Sequence, residues 1–145
     1  MVYKSEAGSY FLELAGSAGV SDSIQVGDRG DIRQTGFVPE NEIVEWYNSL
    51  SGFFLPSVRE GCGLPIMEAA ACGTPVFVYE DVEISEEMED LVIRVSSVEE
   101  VPGLVDKFSD EDSRDLAEKA SRFSWSDTVE KHEEVYDRLQ CSDSM

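Results

Sequence analysis

A chain of 145 residues with 41% hydrophobic residues is the size of one domain and too apolar for wholesale disorder. Its 31 acidic against 11 basic residues give a formal charge of -20, which repels a phosphate backbone and an anionic lipid surface and so argues against nucleic acid as a partner. No apolar run approaches the ~18 residues of a membrane span, and Met1 to Ser9 lacks the order of a secretory signal. The expected location is the cytoplasm, with the inner membrane face reachable through a partner. Acids spread over predicted helix surfaces, with few lysines, are the pattern of a protein from a salt-rich, halophilic cytoplasm; the plainer reading is an acidic protein without that adaptation.

In chain order, Ser9–Ala18 reads as a short helix with Tyr10, Phe11, Leu14 and Ala18 on one face and Gly19 as its stop. The polar stretch from Ser21 to Gly30 reads as a loop with room for a short strand at Ile24–Val26, and Ile32–Val38 as a strand. Pro39 opens the next helix, whose buried side is Ile43, Val44, Trp46, Tyr47 and Leu50. The run Phe53-Phe54-Leu55 suits a parallel strand covered on both faces. Pro65 to Cys72 is a helix stopped by Gly73 with Pro75 beyond, and Val76–Tyr79 is another buried strand. A short helix at Ile84–Asp90, a strand at Leu91–Val95 and helices near Val98–Phe108, Glu111–Phe123 and Ser126–Leu139 complete the chain. Alternating strands and helices predict an α/β fold with a parallel sheet.

Metal and hydrolase chemistry find little support. Cys62, Cys72 and Cys141 have no C-x-x-C spacing, and His132, on a predicted surface helix, is the single histidine. A metal site is therefore not expected, nor a histidine-based triad. Three thiols of odd number suit a reducing compartment.

The segment that carries chemistry runs from Glu60 to Glu68. It lies between a buried strand and a helix start, the carboxyl edge where open α/β sheets bind ligands. Gly61 and Gly63 leave the backbone bare, and the helix start offers N–H groups and a partial positive charge to a phosphate. Glu60 on the loop and Glu68 in the first helical turn, seven residues apart, are carboxylates able to accept from vicinal sugar hydroxyls. The plainer reading makes Glu68 a complement to the helix dipole and Glu60 a solvated loop acid.

Gly36-Phe37-Val38-Pro39, Phe53-Phe54-Leu55-Pro56-Ser57 and the run from Glu60 through Glu68 to Gly73-Thr74-Pro75-Val76 together resemble the group 1 (family 4) retaining glycosyltransferases, whose signature is E-x7-E. Arg122-Phe123-Ser124-Trp125-Ser126 and a closing helix with Tyr136 resemble the end of the same family. The resemblance is good from 36 to 139, weaker from 1 to 35, and leaves 140–145 as a tail. It implies the C-terminal, donor-binding half of a GT-B fold: a Rossmann-like parallel sheet with helices on both faces, without its first two strands. It further implies that Glu60 holds the donor sugar and its anomeric carbon at the catalytic centre. The backbone of Gly61, Cys62, Gly63 and Leu64 would meet sugar hydroxyls and the distal phosphate, Glu68 the ribose, and Val38 and Pro39 the base.

The implied reaction moves a sugar from a nucleotide diphosphate to an acceptor hydroxyl with retention, with no metal or other cofactor. Two positions depart from the family pattern: Cys62, at a site often aromatic or small, and the loop Glu80–Glu83, which lacks paired glycines. The family's phosphate-neutralising cations have no assigned counterpart here, Lys4 and Arg33 included. Three explanations fit: a fragment or split gene completed by a separate chain carrying the N-terminal acceptor-binding half, a rearranged sheet, or self-association that covers the gap. The alternative function is an inactive nucleotide-sugar-binding or interaction module.

Overall fold

The computed structural model describes residues 2–6, 9–15, 32–57 and 59–142, with side chains described from 37 to 139. Six strands form one sheet in the order β3-β2-β1-β4-β5-β6: β1 Val2–Glu6, β2 Ser9–Ala15, β3 Ile32–Gly36, β4 Gly52–Leu55, β5 Val76–Tyr79 and β6 Val92–Val95. The described helices are α1 Ile43–Asn48, α2 Leu64–Ala71, α3 Val101–Val105, α4 Asp110–Ala120 and α5 Trp125–Ser142, with 3-10 turns at Glu40–Glu42, Glu86–Leu91 and Val98–Glu100.

The architecture is α/β, as expected. β4, β5 and β6 run parallel, in register Phe53↔Val76↔Val92 and Phe54↔Phe77↔Ile93. Alternation along these strands sends side chains into two cores, and that is why the runs are apolar throughout. Phe53 and Val76 pack with Tyr47, Ile66, Ala69, Ala70, Met88 and Leu116 on one face, beneath α1, α2 and α4. Phe54, Phe77 and Val95 pack with Val101 on the other, beneath α3.

The amino-terminal side departs from expectation. Ser9–Ala15 is a strand, not a helix, paired with Val2–Glu6 on one side and Ile32–Gly36 on the other. The run Ser-Tyr-Phe-Leu-Glu-Leu-Ala fits a period of two as readily as one of 3.6. Backbone partners on both sides, with aromatic residues that suit strands, decide the matter for the strand. The sheet is consequently mixed rather than all-parallel: β1 runs antiparallel to both β2 and β4, while β2 and β3 are parallel. The hairpin puts β1 beside β4 at Val2↔Phe53 and Tyr3↔Gly52, in the interior of the sheet, with β3 and β6 at its edges. The Gly19 stop and the Ile24–Val26 strand fall outside the described residues.

Other boundaries shift modestly. Val44 lies on the exposed side of α1, while Tyr47 and Leu50 are buried. α4 starts at Asp110 because Ser109 caps it reciprocally with Asp112. The stretch expected as a helix to Phe108 is a 3-10 turn capped by Ser97 and Glu100, followed by α3, which ends at Val105.

Candidate donor-binding site

The loop from Pro56 to Gly63 leaves the carboxyl end of β4 and delivers the chain into α2. Beside it, the loop after β5 carries Glu80 to Glu83. The two loops are tied together: Glu60 N–H donates to the Glu83 carbonyl at 2.9 Å, and Arg59 Nε donates to the Glu83 carboxylate at 2.7 Å. The second loop is held in turn by Arg94, whose Nη1 donates to the carbonyls of Tyr79, Glu80 and Val82 at 3.2, 2.8 and 3.1 Å. Glu89 completes the site around Arg94 at 2.7 Å, and that guanidinium holds the Glu89 carboxyl below its ordinary range. A cationic staple thus keeps in shape a loop that lacks paired glycines.

The two glycines of the motif have different work. Gly63 caps α2 with φ 61 and ψ 29, the left-handed region in which a Cβ is costly. A Cβ there would also lie 2.5 Å from Met88 Sδ. Gly61 is exposed, and a Cβ on it would meet nothing within 4 Å. Packing therefore accounts for Gly63 and does not account for Gly61.

The helix start offers fewer donors than expected. Pro65 is the second helical residue and has no N–H, and the N–H groups of Ile66 and Met67 already donate to the Gly63 carbonyl at 2.9 and 3.2 Å. Among the described residues no acceptor meets the N–H groups of Gly61, Cys62, Gly63 or Leu64. Cys62 is an exposed free thiol.

Glu68 stands in the second turn of α2, not the first, because the helix starts at Leu64 and its first turn holds no acid. Helix-dipole complementation fades beyond the first turn, so the plainer reading of Glu68 loses its basis. Its carboxylate is exposed, and Oε2 accepts from the Tyr47 hydroxyl at 3.1 Å. Tyr47 is itself buried; burial first, then the Glu68 charge and hydrogen bond, push its hydroxyl well above the ordinary tyrosine range. The same two influences, burial and Glu68, raise the Cys72 thiol.

Sequence reasoning placed Tyr47 in the core and missed this contact. The available signal was chemical: a tyrosine on the apolar side of a helix needs an acceptor for its hydroxyl. Glu83, which holds both Arg59 and the Glu60 backbone, was equally unmarked.

Gly73-Thr74-Pro75 belongs to the scaffold. Gly73, at φ 73, and Thr74 close α2 with N–H bonds to the Ala70 and Ala69 carbonyls at 2.8 and 3.0 Å. A Cβ on Gly73 would strike Ser113, whose hydroxyl donates to the Gly73 carbonyl at 2.7 Å. The buried Thr74 hydroxyl donates to the Tyr47 carbonyl at 2.9 Å. Val38 and Pro39 are half-buried at the junction of β3 with the 3-10 turn, where the Pro39 carbonyl accepts from Glu42 N–H at 2.9 Å.

The site is an open ledge. Gly61, Cys62, Leu64 and Glu68 are all exposed. Elsewhere on the described surface, a depression of about 520 Å³ runs along Trp125, Val129 and Glu133, and another of about 200 Å³ lies between β6 and α4. Neither includes a residue from Glu60 to Glu68. Four of the described arginines are engaged in ion pairs within the fold. Arg59, Arg94, Arg122 and Arg138 pair with Glu83, Glu89, Asp90 and Glu134. Among the described residues no His, Cys, Asp and Glu cluster suits a metal, and no helix is long and apolar enough to cross a membrane.

A loop with a bare glycine, open N–H groups and a held carboxylate lies here at the carboxyl edge of the strands, the place where open α/β sheets as a class bind ligands. The chain belongs to the group 1 glycosyl transferases, whose family model matches residues 6–123. The match begins well before Gly36, where the motif resemblance becomes strong. It is 32% identical over 130 residues to an O-antigen chain mannosyltransferase B of Escherichia coli, covering 80% of this chain and 34% of that protein. Over 136 residues it is 29% identical to a serotype-specific mannosyltransferase WbdA of Escherichia coli, covering 88% of this chain and 16% of that one. A D-inositol 3-phosphate glycosyltransferase of Streptosporangium roseum is 34% identical over 68 residues, 47% of this chain and 14% of that protein. Among solved structures, one from a GtfA/B complex aligns with a TM-score of 0.47 at 20% identity, covering 77% of this chain and 25% of that one. The chain thus spans about a third of the length of the first of these relatives.

Proposed function

We propose that this chain is the donor-binding part of a glycosyltransferase that moves a sugar from a nucleotide diphosphate to an acceptor hydroxyl with retention of anomeric configuration. The observation that carries the reading is the exposed Glu68 carboxylate, held by Tyr47 at 3.1 Å on the helix into which the loop with Glu60 and the bare Gly61 leads. In this reading Glu60 engages the donor sugar, the N–H groups of Gly61 to Leu64 meet sugar and phosphate oxygens, and Glu68 accepts from the ribose. Val38 and Pro39 border the base. Relatives named as mannosyltransferases make a hexose the first donor sugar to test.

The pairing of Arg59 and Arg94 with Glu83 and Glu89, beside this loop, bears on turnover. A departing diphosphate needs cationic or N–H stabilisation, and loss of a single such donor costs about 3 kcal/mol. The reading therefore assigns the remaining cations and the acceptor surface to a separate half, which also supplies the second wall of the cleft. Turnover is expected only with that half present, without a metal.

Titration calorimetry of Glu68→Ala against nucleoside diphosphates tests the binding role. The expected loss is about 1–3 kcal/mol, the range for a hydrogen bond to a charged group; unchanged affinity removes Glu68 from the ribose. Transfer of radiolabelled sugar from a donor panel, with the acceptor-binding half supplied, tests the reaction. Normal binding with no transfer would leave a binding module in its place.

A further inference from the structure

We propose that Tyr47 is a positioning residue: its hydroxyl holds the Glu68 carboxylate in the orientation that receives the ribose. The inference rests on the reading above, in which Glu68 takes the ribose.

Tyr47 is fixed by both its ring and its main chain. The ring packs edge-on against Trp46 and Phe53, with centroids 4.9 and 5.6 Å away. Its carbonyl accepts from Thr74 Oγ1 at 2.9 Å and from Leu50 N–H at 3.0 Å. A side chain clamped in this way delivers its hydroxyl to one place, and there it meets Glu68 Oε2.

Glu68 is otherwise an exposed side chain on a helix surface, free to sample rotamers, and ordering it on binding would cost entropy. The Tyr47 bond does part of that ordering in advance. A carboxylate offers about four acceptor sites, so one bond to Oε2 leaves Oε1 and the outer lone pairs for a vicinal diol, which presents two hydroxyls at a fixed spacing. The Tyr47 hydroxyl is protonated at neutral pH as any tyrosine's is, hence a donor, and burial and the Glu68 charge move its titration further from neutrality. The Thr74 hydroxyl acts one step further back, on the Tyr47 main chain.

The test is titration calorimetry of the full chain with uridine and guanosine diphosphates and with their 2′,3′-dideoxy counterparts. Wild-type protein should prefer the ribo form of at least one base by about tenfold or more, and Glu68→Gln should lose most of that preference. Tyr47→Phe keeps the packed ring and removes only the donor. It should cost about three- to tenfold in ribo affinity while leaving dideoxy affinity unchanged. An equal loss for both ligands would mean that Tyr47 serves structure alone, and overturns the inference. So does full wild-type discrimination in Tyr47→Phe when Glu68→Gln has lost it. A wild-type protein that binds neither form, or binds both equally, overturns the ribose reading of Glu68 and the inference with it. If Tyr47→Phe does not fold, Thr74→Val carries the test: selective loss of ribo affinity supports the assignment, and unchanged selectivity overturns it.

Discussion

α2 and α5 are both helices legible in the sequence, yet the fold treats them in opposite ways. α2 has eight residues, and its Ile66, Ala69 and Ala70 are fully buried against β4, β5 and α4. α5 has eighteen residues, and its Trp125, Val129, Val135, Tyr136 and Leu139 are exposed by 51 to 73%. A cap and a periodic apolar pattern state where a helix forms; they do not state what covers it. α2 is covered because its two ends are fixed, by the left-handed Gly63 at one and by the Gly73–Thr74 turn at the other. Those fixed ends aim one face into the core and leave Glu68 on the other.

The largest expected effect breaks the α2 side of this contrast. Ile66→Ala removes a side chain with no exposed surface and should destabilise the protein by about 2–5 kcal/mol, read from urea or thermal unfolding. A loss below about 1 kcal/mol would mean that α2 is not the keystone of that core.

The next test divides the two glycines. Gly63→Ala must hold a Cβ in the left-handed region, at roughly 1–2 kcal/mol, and must also displace the flexible end of Met88. Gly61→Ala meets nothing within 4 Å and should stay within about 0.5 kcal/mol of wild type in stability. If the proposed donor site is right, its effect falls instead on nucleoside diphosphate affinity, measured by calorimetry, because the ligand then lies against the Gly61 backbone. Equal stability losses in both variants would erase the distinction between packing glycine and ligand glycine.

These residues also mark how far the sequence could be read. From β4 to β6 the apolar runs, the glycines and the prolines determine local structure nearly alone. Phe53-Phe54, Val76-Phe77-Val78 and the Gly73 stop accordingly lie where their chemistry predicts. Ser9–Ala15 was misread because a seven-residue run of mixed aromatic and aliphatic residues satisfies both periods, and its state depends on strands that come before and after it. In the site, the glycine-rich loop and the two carboxylates were legible from spacing. The Tyr47–Glu68 bond and the Glu60–Glu83 tie join residues 21 and 23 positions apart, and only the packing of α1 on α2 and of one loop on the next creates them. Thr74 reads as part of a ligand motif and acts as a buried prop, a distinction that depends on which way its hydroxyl turns.

The smallest expected effect concerns α5. Full burial of a large apolar side chain is worth roughly 1.5–3 kcal/mol, and side chains exposed by half or more claim little of that in this fold. Trp125→Ala and Leu139→Ala should therefore each change unfolding free energy by no more than about 0.5 kcal/mol, measured by urea titration of the full chain. Tyr136→Phe should do the same, since no described residue accepts from its hydroxyl. A loss above about 1 kcal/mol for Trp125→Ala would mean that α5 packs against the body of the protein in solution, and that its apolar residues contribute to this core as those of α2 do. The contrast between the two helices would then be one of degree, with α5 added to the elements that stabilise the domain.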